Sequence, residues 1–397
     1  MTPERIVYMD HSATTATDPA VVDAMIPWMT ARYGNPSSVY RLAGESRKAV
    51  EEARASVATV LGADPGEIFF TSGGTEADNW AIKGVAFAHQ KKGTHIITSA
   101  IEHHAVLHTC RYLEQHGFSV TILPVDETGK VRMEDLKAAI TDQTILVSIM
   151  TANNEIGTIQ PVTAIGALCR EMGILFHTDA VQAIGTIPMD VRSMNIDLLS
   201  LSGHKFYGPK GAGALYIRKG VRVENLLHGG GQEKRKRAGT ENVPGIIGLG
   251  AAIGLAAERM EEQALRVSTL RDRLLAGILE RIPHTRLNGH PSDRLPGNIN
   301  VSFEFIEGES ILLLLDRVGI CASTGSACTS GSLEPSHVLR AIGIPAERAH
   351  GSLRLTLGAE NTGEDVGYVL EHLPGIISRL REMSPLYADF NKRSMDV

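Results

Sequence analysis

The amino-acid sequence predicts an α/β protein with a mainly parallel sheet and a second, smaller α+β domain, and three observations support that prediction. Apolar runs rich in strand-forming residues alternate with segments of helical period through about the first 220 residues. These runs are almost uninterrupted, which is typical of parallel strands covered by helices on both faces. From about Gly245 a long helical segment begins, and the regular alternation ends.

The first region supplies the sheet and its covering helices. Asp18 and Pro19 are typical of the N-cap and first position of a helix, so an early helix is expected there. Another helix is predicted over Val162–Met172, because Ile165 and Cys169 recur on one apolar face. The predicted strands are 68–71, 95–98, 120–123, 145–150, 175–177, 198–202 and 213–217.

The second region begins within the long helix, which is expected to run from about 245 to 282. Strands are predicted at 298–303 and 351–357, and helices at 310–318 and 364–383. We therefore expect a large α/β domain at 16–254 and a small α+β domain made of 1–15 with 255–397.

Composition excludes several classes of function. The net charge of −6 among 397 residues gives no reason to expect a nucleic-acid partner or a membrane surface. No signal peptide is recognisable, and the apolar stretches near 246–257 and 311–315 are too short or too glycine-rich to span a bilayer. Four cysteines without a C-x-x-C pair indicate neither a disulfide framework nor a self-contained metal site. We expect a reduced, cytoplasmic protein in which Cys110, Cys169 and Cys321 belong to the core.

The segment TSGGTE at 71–76 is a candidate anion site. Gly73 and Gly74 let the backbone approach a ligand, the following helix presents free N–H groups, and Thr75 adds a hydroxyl. Taken alone, the segment fits a plain strand-to-helix turn slightly better.

Asp179 and Gln182 follow a predicted strand, at the end where ligands gather in open α/β sheets. The carboxylate could keep a ring nitrogen protonated and the amide could bind a ring oxygen. Taken alone, Asp179 is equally typical of a helix N-cap.

Lys205 lies at the end of a leucine-rich strand, together with Ser202 and His204. A lysine there is costly to bury unless its charge is used, and a Schiff base would use it, so we prefer that interpretation to a snorkelling surface lysine. His103 also follows a strand and could stack on an aromatic cofactor and exchange protons. Its neighbour His104 would point to another face, which argues against a shared metal.

Cys328 lies in GSACTSGS, a run of small residues that is unlike the surroundings of a packed cysteine. Exposure would suit a nucleophile, although most isolated exposed cysteines are inert.

Together these segments resemble the cysteine desulfurases of the NifS/IscS group, in the class-V aminotransferase family. The resemblance extends from the YMDHSATT motif at 8–15 to LREMSPL at 380–386. It rests on TSGGTEADN, EHHAVL, NNEIGTIQP, HTDAVQAIG, SLSGHKFYGPKG, GGGQE, RAGTENV, GSACTSGSLEPSHVLRA and AHGSLRLTLG. The cysteine segment is closest to the NifS branch, and NNEIG is closer to IscS. The implied fold is that of pyridoxal-phosphate fold type I, similar to aspartate aminotransferase.

The resemblance also implies a role for each matching residue. Lys205 would bind pyridoxal 5′-phosphate and move the proton at the substrate Cα, and Cys328 would form a persulfide. Arg354 would bind the substrate carboxylate, a bidentate pairing that lysine does not reproduce. The remaining cofactor contacts would come from His103 on the ring face, Asp179 at the ring nitrogen, Asn154 and Gln182 at the ring oxygen, and Gly74, Thr75, Ser202 and His204 at the phosphate, with Thr240 reaching the phosphate of the other subunit of a homodimer.

The expected function is therefore transfer of sulfur from L-cysteine to an iron–sulfur scaffold or another acceptor protein, either for general iron–sulfur cluster assembly or for nitrogen fixation. Selenocysteine lyase is the enzymatic alternative. The alternative of another class is a non-enzymatic cluster-binding module, to which Cys328 would lend one ligand. An ordinary aminotransferase is disfavoured by the cysteine segment.

Overall fold

The structure is a computed structural model that describes residues 5–324 and 335–395. Its strands are β1 Val7–Tyr8, β2 Ile68–Thr71, β3 His95–Ser99, β4 Ser119–Leu123, β5 Thr144–Ser148, β6 Leu175–Asp179, β7 Leu198–Ser202, β8 Gly213–Ile217, β9 Gly231–Gln232, β10 Arg237–Ala238, β11 Thr285–Leu287, β12 Asn298–Phe303, β13 Ile320–Cys321 and β14 Ser352–Thr356. Its helices are α1 Pro19–Thr30, α2 Arg41–Leu61, α3 Gly74–His89, α4 His104–Glu114, α5 Met133–Ala139, α6 Val162–Met172, α7 Val243–Arg281, α8 Gly308–Arg317, α9 His337–Ala341, α10 Ala346–Ala349, α11 Gly363–Glu382 and α12 Pro385–Met395.

Among the described residues the largest sheet has seven strands, in the order β2-β8-β7-β6-β5-β3-β4. The run from β4 to β7 is parallel throughout, and only β8 is antiparallel to its neighbours β2 and β7. The prediction of a mainly parallel sheet is confirmed, with one reversed strand. The strand order changes direction between β3 and β5, and ligands in such sheets bind at the carboxyl ends beside that point.

Buried side chains cover both faces of this sheet, as the apolar strands predicted. One cluster includes Phe70, Val147 and Phe176, and a second includes Phe69 and Trp80 on the other face. Because successive strand residues point to opposite faces, Phe69 and Phe70 serve different clusters.

The second region forms its own buried cluster around β12 and β14. Val7 and Met9 from the beginning of the chain join it, together with Ile299, Val301 and Leu355. Strand β1 accordingly pairs with β13 rather than with the large sheet. The grouping of 1–15 with 255–397 and the boundary at 254/255 both stay predictions.

Helix α7 connects the two clusters. Its beginning packs in the first cluster through Leu249 and Ile253, and its end packs in the other through Leu274 and Ile278. Among the described residues it is the one helix long and apolar enough to cross a membrane by length and composition alone. Of the apolar window, 44% is buried inside the protein, and the core helix of a soluble protein passes the same test.

Several local predictions are confirmed and one is wrong. The Asp18 side chain accepts a hydrogen bond from the Ala20 N–H and caps α1, with Pro19 at its first position. Cys110 and Cys169 are buried, but Cys321 is only partly buried. Cys321 lies in β13, which pairs on one side with the short β1, so the apolar sequence before it does not cover its side chain completely.

Candidate active site

The carboxyl ends of β2, β3, β5, β6 and β7 converge on one cavity beside the reversal in strand order. Parallel strands deliver the residues that follow them to the same edge of the sheet, which explains why segments distant in sequence meet here. The cavity has a volume of about 300 Å³ and is lined by Ser12, Ala13, Gly74, Thr75, Asp78, His103, Met150, Asn154, Asp179, Val181, Gln182, Ser202, His204, Lys205 and Arg354.

One part of the cavity has the features of an anion site. Helix α3 begins at Gly74, so its first N–H groups have no partner within the helix. A Cβ on Gly74 would lie 2.7 Å from the Val181 Cγ2, so a larger residue would push the turn out of place. His204 supplies a neutral ring, because burial and the charge of Lys205 lower its pKa to about 4.

Lys205 lines the cavity close to the N-terminal segment of the chain. Its Nζ donates hydrogen bonds to the Ser12 carbonyl over 2.6 Å and to the Ala13 carbonyl over 2.7 Å. Gln182 donates to the same Ser12 carbonyl over 3.0 Å. The N-terminal segment therefore orients two of the predicted site residues from outside the large sheet.

Asp179 ends β6 with its carboxyl in a dry environment. Burial raises its pKa to about 6, while the Val181 N–H and the charge of Lys205 act in the opposite direction. The Val181 N–H donates to the Asp179 Oδ1 over 2.9 Å, and a series of turns follows instead of a helix. The helix N-cap interpretation is therefore wrong for Asp179, and its second oxygen can pair with a cation in the cavity.

His103 is the N-cap of α4, and its Nδ1 accepts a hydrogen bond from the Ala105 N–H over 3.1 Å. Burial and the charges of Lys205 and His108 lower its pKa, so the ring is neutral near pH 7. In a neutral ring whose Nδ1 accepts, the proton lies on Nε2. His103 can thus donate a proton at Nε2, and it cannot accept one there while the capping bond lasts.

Arg354 approaches the cavity from β14 with only 3% of its side chain exposed. Its Nη2 contacts the Asp10 Oδ1 at 2.7 Å and its Nη1 donates to the Asn154 carbonyl over 3.0 Å. Its buried Nε–H has no hydrogen-bond partner among the described residues. A fixed guanidinium with an unused donor suits recognition of a carboxylate.

Two predicted site residues are not at this cavity. Thr240 is exposed and does not line it. Cys328 lies outside the described residues, although both neighbouring segments are held near the site. On one side, Ser323 pairs with Arg354 through two backbone hydrogen bonds. On the other, the Ser336 hydroxyl donates to the buried Glu155 carboxylate over 2.5 Å.

Sequence reasoning missed Asp10 and Asp78. Asp10 sits in the DHSATT motif and fixes Arg354, and Asp78 lies in TSGGTEADN and lines the cavity. Both residues were inside quoted motifs, but spacing alone did not indicate which charged side chains point inward. Asp78 could have been found from its spacing. It comes four residues after Gly74, and residues four apart lie on the same face of a helix, so its carboxyl could have been expected on the same side as the candidate anion site.

These residues fit pyridoxal phosphate. A lysine amine, a buried carboxyl, a neutral histidine ring and a glycine-bounded helix N-terminus surround one cavity. The first three match a Schiff-base lysine, a ring-nitrogen partner and a stacking ring, and the last matches a phosphate.

Comparison with known proteins agrees with this set of residues. The model of the family described as aminotransferase class-V matches residues 7–369. A cysteine desulfurase IscS of Clostridium botulinum is 63% identical over 389 residues, which cover 97% of this chain and 98% of the relative. A protein of the same name from Methanosarcina thermophila is 63% identical over 97% of this chain and 95% of its own length. A solved structure called a NifS-like protein matches with a TM-score of 0.89 and 42% identity, over 95% of this chain and 100% of that one.

Proposed function

The chain belongs to the class-V aminotransferase family and, within it, to the cysteine desulfurases, and from this premise we propose that it moves the sulfur of L-cysteine onto Cys328. It is an enzyme that depends on pyridoxal phosphate, with the α/β architecture of fold type I. The observation that carries the residue assignment is the shared cavity of Lys205, Asp179, His103 and Arg354.

When bound, the cofactor supplies an electron sink that makes the Cα proton of the substrate acidic. Lys205 would hold the cofactor and move that proton, and the Asp179 carboxylate would pair with the ring nitrogen. The uncharged ring of His103 would stack on the cofactor and could donate its Nε2 proton. Asn154 and Gln182 would flank the ring oxygen, and the phosphate would be held by Gly74, Thr75, Ser202 and His204.

Arg354 positions the substrate. Its Nη groups are fixed by Asp10 and Asn154, so the Nε edge is the one available to the amino-acid carboxylate. Burial strengthens this charge-assisted pairing because little water competes for it.

Sulfur transfer then needs a thiolate from the Cys328 segment. The Cys328 Sγ attacks the substrate sulfur, an S–S bond forms and the substrate Cβ–Sγ bond breaks. The electron pair of the broken bond stays with the substrate carbon, which gains protons and leaves as L-alanine. The anchoring of Ser323 beside Arg354 supports this step, because Cys328 is five residues from a residue paired at the site.

We extend the proposal to a homodimer in which Thr240 reaches the phosphate of the partner's site. Thr240 is exposed and absent from its own cavity, which leaves it available to another subunit. Several large apolar side chains between positions 22 and 40 are exposed, and contact with a second copy would cover them. They are Val22, Ile26, Met29, Tyr33, Val39 and Tyr40.

The persulfide would pass to an iron–sulfur scaffold or another sulfur-acceptor protein in the cytoplasm. General iron–sulfur cluster assembly is the pathway that we propose, because the similar relatives are named IscS. Supply of sulfur for nitrogenase clusters would be a specialised case of that pathway.

An absorbance spectrum of the purified protein, followed by addition of L-cysteine, tests the proposed function. We expect visible absorbance from bound cofactor, and equal amounts of L-alanine and thiol-released sulfide. A protein that binds no pyridoxal phosphate would overturn the proposal. Faster turnover of L-selenocysteine would favour a selenocysteine lyase, and iron retained after anaerobic purification would favour a cluster-binding module.

A further inference from the structure

A second carboxyl, that of Asp78, lines the cofactor cavity beside Asp179. It lies on α3, one turn after Gly74, and it is only 1% exposed. Its Oδ1 has no hydrogen-bond partner among the described residues. None of the steps above uses this carboxyl, so its position in the site needs a separate explanation.

Asp78 is part of a buried polar network behind the cavity. The His177 Nε2 lies 3.6 Å from the Asp78 Oδ1. The same ring contacts the Ser148 hydroxyl at 2.8 Å through Nδ1 and the Ser200 hydroxyl at 3.0 Å through Nε2. The Ser200 hydroxyl also interacts with the Asp78 carboxyl, and this interaction lowers the pKa of Asp78. His177 is itself fully buried.

The charges around Asp78 are unfavourable to a second carboxylate. Burial is the largest cause that raises the pKa of Asp78, and the carboxyls of Asp179 and Glu102 raise it further, while a hydrogen bond with Ser200 acts in the opposite direction. Burial lowers the pKa of His177 to about 3, so this neighbour is uncharged. In the described parts of the chain no lysine or arginine forms an ion pair with Asp78. Two buried carboxylates at one site repel each other, so one of them keeps a proton.

Asp179 is the better of the two at carrying the charge. The Val181 N–H and the nearby charge of Lys205 both lower the pKa of Asp179, whereas only the neutral Ser200 acts in this direction on Asp78. A protonated Asp78 also gives the network a consistent order of hydrogens. In that state Asp78 can donate to Ser200, Ser200 can donate to the His177 Nε2, and the His177 Nδ1–H can donate to Ser148, which agrees with the contacts of the His177 ring.

We propose that Asp78 is a positioning residue that stays protonated, anchored to Ser200 and His177, and leaves Asp179 as the one negative charge that the cavity presents to the ring nitrogen of the cofactor. The assignment of Asp179 to the ring nitrogen is part of the proposed function, and this inference rests on it. The role of Asp78 is to limit the charge at that end of the site, so that one carboxylate pairs with one protonated nitrogen.

Replacement with asparagine distinguishes the two carboxyls, because an amide resembles a neutral carboxyl and cannot replace a charged one. In titrations of apoprotein with pyridoxal phosphate, we expect Asp78→Leu to weaken binding about tenfold or more, since it removes buried hydrogen bonds. Asp78→Asn should restore binding and the visible absorption maximum of the bound cofactor. Asp179→Asn, the matched control, should show loss of binding and a changed maximum. Equal losses in the two asparagine variants would overturn the proposal.

Thermal unfolding of the apoprotein provides a test without cofactor. The pKa of Asp78 is raised well above its usual value in the folded state. Its stabilising contribution is therefore complete below the unfolded pKa of about 4 and is lost progressively as the pH rises towards the folded value. Asp78→Asn lacks this loss, so its Tm advantage over the wild type should grow by about 2 °C or more between pH 5 and pH 8.

Because the two carboxyls interact, Asp179→Asn is measured beside Asp78→Asn: the Asp179 variant keeps Asp78 and should keep the loss of stability as the pH rises. A Tm difference that does not change with pH would contradict a protonated Asp78. If the wild type binds no pyridoxal phosphate, the proposed function fails, while this pH series still decides the state of Asp78.

Discussion

The cofactor end of the site and the described residues on either side of the Cys328 segment are held by different kinds of structure. Lys205, Asp179 and Ser202 are attached to strands of one buried sheet, and their side chains converge because the strand ends do. The bordering residues are instead held by individual contacts, Ser323 with Arg354 and Ser336 with Glu155. The first arrangement suits chemistry that needs fixed angles, and the second keeps both borders of the segment close to the site.

The two regions are joined by Arg354, for which we propose substrate binding. Arg354 pairs through its backbone with Ser323 and donates from its side chain to the Asn154 carbonyl. Burial raises the pKa of Glu155, the neighbour of Asn154, to about 7, and its carboxyl accepts the Ser336 hydroxyl. We therefore expect variants at the cofactor end to change the spectrum, and variants of the segment to change sulfur transfer alone.

The largest effect is expected at the cofactor end, from Lys205→Ala. Loss of the covalent attachment and of the proton carrier should lower turnover by about 10³-fold or more and change the visible spectrum. Lys210→Ala removes an exposed lysine from the same GHKFYGPKG segment and should change neither. An unchanged spectrum in Lys205→Ala would refute the division between the two regions.

Cys328→Ala should affect sulfur transfer and leave the cofactor end of the site unchanged. Without the thiol nucleophile, sustained sulfide production in the presence of dithiothreitol should fall by about 10²-fold or more, while cofactor absorbance stays. Cys321→Ala is the matched control, since Cys321 is a partly buried cysteine close in sequence. Full sulfide turnover in Cys328→Ala would remove that residue from the mechanism.

Arg354→Lys addresses the connection between the regions. Lysine keeps the charge but loses the planar pairing with a carboxylate, so KM for L-cysteine should rise roughly 10- to 100-fold. The change in kcat should be smaller, as initial rates over a range of substrate concentrations would show. Arg348→Lys, at a half-exposed ion pair with Glu304, should leave KM as it is. A KM that is unaffected in Arg354→Lys would assign the substrate carboxylate to another residue.

Ser336→Ala should have the smallest effect. The hydroxyl caps α9 and donates to Glu155, and loss of such a cap costs about 0.5–2 kcal/mol. We expect sulfide turnover to drop a few-fold while the cofactor spectrum is retained, and Ser336→Thr to recover most of the rate. A spectral change as large as the change in turnover would mean that the contact between Ser336 and Glu155 acts on the cofactor end of the site.

Much of the fold was predictable because apolar periodicity is a local property. Strands β2, β7, β8 and β12 and helix α6 have the predicted bounds. The reversed direction of β8 was not predictable, because strand direction depends on the connection that precedes a strand and leaves no trace in its apolar pattern. The incomplete burial of Cys321 depends on a partner strand from the other end of the chain.

The site was predictable wherever a motif follows a strand, as Thr75, Asp179 and Lys205 do. Two features depend on contacts between distant segments, which one sequence does not reveal. They are the pairing of Arg354 with Asp10 and the buried network around Asp78.

The most direct test of the central claim is mass spectrometry of cysteine-containing peptides after one addition of L-cysteine to the holoenzyme without reducing thiol. We predict one added sulfur atom on the Cys328 peptide, in an amount equal to the L-alanine released, and none on the peptides of Cys110, Cys169 or Cys321. Release of L-alanine with an unmodified Cys328 peptide would contradict the account.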